Sequence, residues 1–102
     1  MAYDVRVSRQ MLKVLKLMIE TPKEARSGAE LSKATGVSSG TLYPLLQRLE
    51  QAGWVTSEWE EIDPSEAGRP RRRYYTLTAL GQSRAAAELA ELQTAPGALA
   101  WA

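Results

Sequence analysis

Apolar residues recur at the spacing of one helix face near the start of the chain. Within residues 8–20 the apolar positions are Met11, Leu12, Leu15, Met18 and Ile19. Steps of three and four residues place side chains on one side of a helix, so this segment is predicted to be an amphipathic helix. Thr21 and Pro22 end it, because the residue before a proline avoids the helical backbone region.

A short second helix is predicted to begin near Gly28. Ser27 and Glu30 have the spacing of a capping box, in which each side chain accepts a hydrogen bond from the other residue's backbone N–H. Gly36 can adopt a positive φ, so it ends this helix after about two turns.

A third helix is predicted over about residues 38–52, where Ser38 or Ser39 can cap the start and Gly53 follows the end. Its buried positions are Leu42, Leu45, Leu46 and Leu49. Pro44 lacks a backbone N–H and its ring clashes with the preceding turn. Either the helix begins near Thr41, therefore, or it bends at the proline.

A β-hairpin with a long loop is predicted after Gly53. Strand-forming residues alternate over residues 54–62, a turn-rich connection occupies residues 63–70, and residues 71–77 form the returning strand. Alternation directs Tyr75 and Leu77 of the returning strand toward the core.

A final helix is predicted over about residues 78–94, with Thr78 at its cap. Its apolar stripe consists of Ala85, Leu89 and Leu92. Little else in one subunit is left to cover this stripe, so we expect it to pair with a second copy of the chain in a homodimer. Residues 96–102, which include Trp101, are predicted to be a loose tail.

The predicted order of helix, short helix, helix, hairpin and helix is that of a winged helix-turn-helix. We therefore expect a mainly helical α+β fold, with a two-stranded wing and a C-terminal dimerisation helix. A chain of 102 residues with 44% hydrophobic content suits one domain, here residues 1–95.

Composition argues against several classes of protein. The chain has no cysteine and no histidine, so it lacks disulfides, thiolate sites and the commonest general base and zinc ligand. The acidic cluster Glu58, Glu60, Glu61 and Asp63 is interpreted as a solvated face of the wing. We expect no enzyme, no metal and no cofactor. The chain also has no long apolar run and no signal-peptide pattern, so a cytoplasmic location without membrane contact is expected.

The start of the third helix is the first candidate DNA-binding element. The second helix of a helix-turn-helix lies in the major groove, and the candidate contacts at its free end are Ser38, Ser39, Gly40, Thr41 and Tyr43. Hydroxyl groups can bind phosphates or base edges, and the helix start offers free backbone N–H groups. The alternative is helix capping with a half-buried tyrosine, and for Ser38 capping is at least as strong an interpretation.

An arginine run in the wing is the second candidate element. The net charge is only +1, but four of the arginines fall within residues 69–73. Guanidinium groups bind phosphate and fit a narrow minor groove, so Arg69, Arg71 and Arg72 are the expected DNA contacts. The alternative interpretation of the run is a solvated strand edge balanced by the neighbouring acidic residues.

Two motifs in this order resemble the PadR family of transcriptional regulators. They are Gly40-Thr41-Leu42-Tyr43-Pro44-Leu45-Leu46 with Arg48-Leu49-Glu50 and Gly53, and Gly68-Arg69-Pro70-Arg71-Arg72 with Tyr74-Tyr75, Leu77-Thr78 and Gly81. The resemblance covers about residues 12–92. It implies a winged-helix repressor that dimerises through its last helix, binds an inverted-repeat operator in double-stranded DNA and tolerates Pro44 within the recognition helix.

The resemblance is to the short members of that family, which have one C-terminal helix. Some short members bind flat aromatic compounds at the dimer centre, against an aromatic side chain of that helix. Here the helix has no aromatic residue before Pro96, so the existence of a small-molecule effector is left open. The alternative function is a winged-helix adapter that binds a protein through Trp54, Trp59 and the acidic strand.

Overall fold

The computed structural model describes residues 5–94, so the predicted tail and Trp101 lie outside the described residues. The elements are α1 (Arg9–Glu20), β1 (Arg26–Ser27), α2 (Gly28–Thr35), α3 (Ser39–Gln51), β2 (Val55–Trp59), α4 (Pro64–Ala67), β3 (Arg73–Leu77) and α5 (Ala79–Thr94). This is a winged helix-turn-helix, with α2 and α3 as the helix-turn-helix and the β2–β3 hairpin as the wing.

The first two helices begin and end where the sequence predicts. Ser8 caps α1 by accepting the Met11 N–H at 3.2 Å. The capping box of α2 is complete, because Ser27 Oγ accepts the Glu30 N–H at 3.1 Å and Glu30 Oε1 accepts the Ser27 N–H at 3.3 Å. Gly36 follows α2 with φ of 78°, which a residue without Cβ adopts freely.

Pro44 lies inside α3, in its second turn. The helix begins at Ser39 and continues through the proline, which agrees with the predicted range of about residues 38–52 and excludes the alternative of a start near Thr41. Proline has no N–H, and the carbonyl of Gly40 therefore lacks the donor that an α-helix normally provides four residues later. The helix persists because its apolar face is anchored in the core, where Leu42 and Leu46 are fully buried.

A single apolar core joins the helices to the sheet. It contains Met11, Val14, Leu15, Met18, Leu31, Val37, Leu42, Leu45, Leu46, Leu49, Trp54, Val55, Tyr75, Leu77 and Ala85. The sequence pattern correctly predicts the whole buried face of α3, and it also predicts Tyr75 and Leu77 on β3. On α1 the pattern omits Val14, which is fully buried, and includes Leu12 and Ile19, which are only half-buried.

The sheet has three antiparallel strands in the order β1-β3-β2. Strands β2 and β3 form the predicted two-stranded wing, and β1 is an additional strand at its edge. Strand β1 has only two residues, too few to show an alternating pattern, which is why sequence reasoning misses it. The wing loop also contains a one-turn helix, α4, with Asp63 at its cap and Gly68 at its end. Within the hairpin, Ser57 is paired with Tyr75 and Trp59 with Arg73.

Candidate functional site

The first turn of α3 lies at the surface of the helix-turn-helix. Ser38, Ser39, Gly40 and Thr41 are all exposed. Ser38 occupies the cap position, and its carbonyl accepts the Leu42 N–H at 2.8 Å. Its hydroxyl does not cap the helix but donates to Thr41 Oγ1 at 3.4 Å. Both hydroxyl groups therefore remain at the surface, where an external acceptor or donor can reach them.

Tyr43 is held in position by the glycine that starts α2. A Cβ built on Gly28 would fall 2.6 Å from Cε1 of Tyr43 and would also overlap its hydroxyl oxygen. The ring therefore lies directly against the backbone of α2, while 46% of Tyr43 remains exposed. This close approach needs a residue without a side chain at Gly28, a requirement that local sequence patterns do not reveal.

A groove of about 390 Å³ lies between the wing on one side and the start of α2 with Tyr43 of α3 on the other. Its walls are the start of α2, Tyr43, Trp59, Arg71, Arg72, Arg73 and Tyr75. The fold thus brings Tyr43, from the first candidate element, together with Arg71 and Arg72, from the second. Residues 38–41 and Arg69 lie outside this groove.

Arg69 is engaged within the wing. Its guanidinium donates to both carboxylate oxygens of Glu60, at 2.7 and 2.9 Å. Glu60 also accepts the backbone N–H of Arg72 at 3.2 Å. The Arg69 guanidinium, with smaller contributions from Arg72, lowers the pKa of Glu60 to about 2, and Glu60 in turn raises the pKa of Arg69. Glu60 is assigned from sequence to a solvated face, but its carboxylate instead binds Arg69 and the backbone of Arg72 on the other side of the wing.

Glu60→Gln is expected to remove part of the acid sensitivity of folding. Because folding lowers the pKa of Glu60 from 4.5 to about 2, its contribution to stability is complete above pH 4.5. That contribution is lost as the pH falls from 4.5 through 2. Urea unfolding of both proteins at pH values across this interval measures the difference. The exposed neighbour Glu61, changed to glutamine, is the control and should retain the wild-type decline.

The other wing arginines differ in how they are held. Arg71 Nε donates to the carbonyl of Ile62 at 2.9 Å, and the residue is exposed. Arg72 is also exposed, and within residues 5–94 its guanidinium has no hydrogen-bond partner. Arg73 is half-buried and binds Ser57 and Glu50 instead. Sequence reasoning misses these roles, because the side-chain hydrogen bond from Arg73 to Ser57 depends on the hairpin register.

The three residues predicted to form the dimer seam are not equally accessible. Ala85 is completely buried in the core of its own subunit, where α5 packs against α1. Leu89 and Leu92, farther along α5, are half-buried. Their exposed parts, together with Leu80, which is 46% exposed, are apolar surface that one subunit leaves uncovered.

Within residues 5–94, no three Asp or Glu side chains come together as metal ligands. In the same part of the chain, no helix combines the length and the apolar character needed to cross a membrane.

Comparison with known proteins identifies a family and several structural relatives. The profile of the transcriptional regulator PadR-like family matches residues 14–87. A PadR family transcriptional regulator from Eggerthella lenta is 26% identical, with a TM-score of 0.65 over 82% of this chain and 75% of that one. No curated protein matches the chain significantly.

AbfR of Staphylococcus epidermidis is a second structural relative. It is 32% identical, with a TM-score of 0.58 over 76% of this chain and 47% of its own. Reduced AbfR has been solved bound to DNA, and that structure is 29% identical, with a TM-score of 0.61 over 76% of this chain and 51% of its own. This chain therefore spans about half the length of AbfR.

Proposed function

From the premise that this chain belongs to the PadR-like family of transcriptional regulators, we propose that it is a dimeric repressor that binds an inverted-repeat operator in double-stranded DNA. The family consists of regulators rather than enzymes. The observation that carries the proposal is the groove in which Tyr43 of α3 faces Arg71 and Arg72 of the wing. The DNA complex of AbfR, a structural relative, supports the DNA-binding part of the proposal.

In the proposed complex the first turn of α3 enters the major groove. Ser39 and Thr41 offer hydroxyl groups to base edges or phosphates, and Gly40 lets the DNA backbone approach closely because no atom lies within 4 Å of its Cβ position. Ser38 contributes through its hydroxyl group, which also donates a hydrogen bond to Thr41 Oγ1. Tyr43, fixed against Gly28, faces the DNA strand that passes between the helix and the wing.

The wing supplies the phosphate contacts in this proposal. Arg71 and Arg72 are exposed, and guanidinium groups bind phosphate through two parallel hydrogen bonds. Arg69 keeps its bidentate pair with Glu60 and supports the loop rather than touching the DNA. The assignment therefore separates Arg69, whose charge is already paired with a carboxylate, from Arg71 and Arg72, whose guanidinium groups bind no carboxylate within residues 5–94.

The proposed dimer places Leu89 and Leu92 of two α5 helices against each other, whereas Ala85, one turn earlier on α5, stays buried in the core of each subunit. Two-fold pairing spaces the two recognition helices by about one DNA turn, roughly 34 Å, as an inverted-repeat operator requires.

The tryptophan surface expected for a protein-binding adapter is partly covered. Trp54 is 5% exposed and belongs to the core, so it is unavailable to a partner. Trp59 is exposed, but the guanidinium of Arg73 lies over its ring at 5.3 Å from the centroid. An exposed wing with two accessible arginines favours a polyanion over an apolar protein partner.

Selection of duplexes from a random library, followed by fluorescence anisotropy with the selected and random sequences, tests the function. We expect Thr41→Ala to weaken binding of the selected operator by about tenfold and to change binding of random DNA much less, because base contacts specify and phosphate contacts do not. Lys33→Ala, an exposed change in α2, is the control. Failure of the wild-type protein to bind any duplex would contradict the proposed function.

Arg72→Ala is expected to weaken binding of every duplex about equally. Loss of one phosphate contact lowers the slope of log affinity against log salt by about one, because fewer counterions are released. Anisotropy titrations from low to moderate salt measure that slope. Arg84→Ala, which removes another exposed arginine on α5, should keep the wild-type slope. If Arg72→Ala also kept it, the wing would not be the phosphate-binding element.

A further inference from the structure

The guanidinium of Arg73 is held by three groups at the base of the wing. Its Nε donates to Ser57 Oγ at 2.8 Å, and Nη2 lies 3.6 Å from Glu50 Oε2. Its carbon Cζ lies 5.3 Å from the centre of the Trp59 ring, within the range of a cation–π contact. Glu50 belongs to the last turn of α3, whereas the other three residues belong to the hairpin.

The hydroxyl of Ser57 completes the connection between helix and wing. It donates to Glu50 Oε2 at 2.6 Å and accepts from Arg73 Nε. The hydroxyl hydrogen is used toward the carboxylate and an oxygen lone pair toward the guanidinium, so both bonds form together. Charged partners make such bonds stronger than neutral ones. The three side chains therefore form one directed bridge from the recognition helix to both strands of the wing.

The bridge lies where the wing leaves the sheet. Trp59 and Arg73 are the last paired residues of the two strands, and one further backbone hydrogen bond, from the Glu60 N–H to the Arg72 carbonyl at 2.8 Å, leads into the loop. Beyond this pair the wing is held by its own contacts, chiefly those of Glu60. The direction in which the wing extends from the recognition helix is therefore set at Arg73.

We propose that the Glu50–Ser57–Arg73 bridge, covered by Trp59, fixes the wing relative to the recognition helix, and that Arg73 is a specificity-determining positioning residue rather than a phosphate contact. The inference rests on the proposed DNA-binding function. Arg73 stands in the same basic run as Arg71 and Arg72, but its side chain is only 39% exposed, its Nε donates to Ser57 and its charge is paired with Glu50.

Positioning of this kind affects operator binding more than binding of random DNA. An operator requires the helix and the wing to reach their contacts simultaneously. If the wing is already fixed relative to α3, less conformational entropy is lost when the operator binds. Random duplexes accept many wing positions, because every position meets phosphates. Release of the wing therefore lowers the ratio of operator affinity to random-DNA affinity.

Glu50→Gln and Arg73→Gln test the proposal by anisotropy on the selected operator and on random duplex. We expect each variant to lower the affinity ratio by about tenfold, within the range measured for coupled polar networks, while the salt slope stays at the wild-type value. Glu50→Gln is the sharper variant. It removes a negative charge, so a purely electrostatic role for Glu50 predicts tighter DNA binding, whereas positioning predicts a weaker operator complex.

Several controls separate positioning from loss of fold. Arg73→Lys keeps the charge but not the planar fork, and it should lower the affinity ratio nearly as much as Arg73→Gln. The Glu50→Gln, Arg73→Gln double variant should lose little more than either single variant, because both changes break one bridge. Ser57→Ala is a smaller change for use if a charge variant unfolds, as monitored by circular dichroism.

Two results would overturn the inference while leaving the proposed function intact. One is a salt slope lowered by about one in Arg73→Gln, with equal losses on operator and random DNA, since that pattern marks a phosphate contact. The other is tighter operator binding by Glu50→Gln. A wild-type protein that binds no duplex at any salt concentration would instead overturn the proposed function, and the inference with it.

Discussion

Gly81→Ala is expected to destabilise the folded protein by about 3 kcal/mol, although alanine is the better helix former. A Cβ at Gly81 would overlap the carbonyl oxygen of Trp54 and lie 2.7 Å from its carbonyl carbon. This obstacle is backbone, and the same carbonyl accepts the Thr78 N–H at 3.0 Å at the start of α5. Making room for the methyl group would therefore push α5 away from Trp54 and break the hydrogen bond from the Thr78 N–H to the Trp54 carbonyl.

Gly40→Ala is the matched control for this prediction. Gly40 is also helical, but no atom lies within 4 Å of its Cβ position. Alanine there should raise the stability by about 0.5–1 kcal/mol, because it restricts the unfolded chain and favours the helix. Urea unfolding at one fixed protein concentration measures both changes. Equal effects of the two substitutions would show that the contact at Trp54 is easily relaxed.

Leu89→Asp combined with Leu92→Asp is expected to convert the proposed dimer into a monomer that loses the operator complex. Each aspartate would place a carboxylate in an apolar interface, which costs at least about 2 kcal/mol per site, so the dimer dissociation constant should rise by at least about a hundredfold. Both leucines are already half-buried in one subunit, and the double variant should nevertheless fold. Weak, salt-sensitive binding of random DNA should remain, because each subunit keeps its wing.

Sedimentation equilibrium at tens of micromolar protein, with anisotropy on the operator, measures both parts of this prediction. Ala87→Asp combined with Ala90→Asp is the control, because it adds the same charges at exposed positions on the opposite side of α5. The control should remain dimeric. A dimer that persists in the leucine variant, or that dissociates only in the alanine variant, would place the interface elsewhere.

The sequence by itself determined the order of elements and most of the core. Caps such as Ser27 and Gly36, and the leucine spacing of α3, act within one or two helical turns. Their effect is local, so it can be inferred from neighbouring residues alone. The same holds for the family, because the glycines, prolines and aromatic residues of its two motifs stand at fixed positions along the chain.

Tertiary structure alone decided the partners of the wing arginines and the close contacts at Gly28 and Gly81. Arg69 is predicted from sequence to contact DNA like Arg71 and Arg72, yet it binds Glu60, and the neighbouring Arg73 binds Ser57 and Glu50. These pairs depend on the hairpin register and on the approach of α3 to the sheet. Hydrogen bonds and ion pairs act only over a few ångströms, so partners remote in sequence are defined only once the backbone has brought them together.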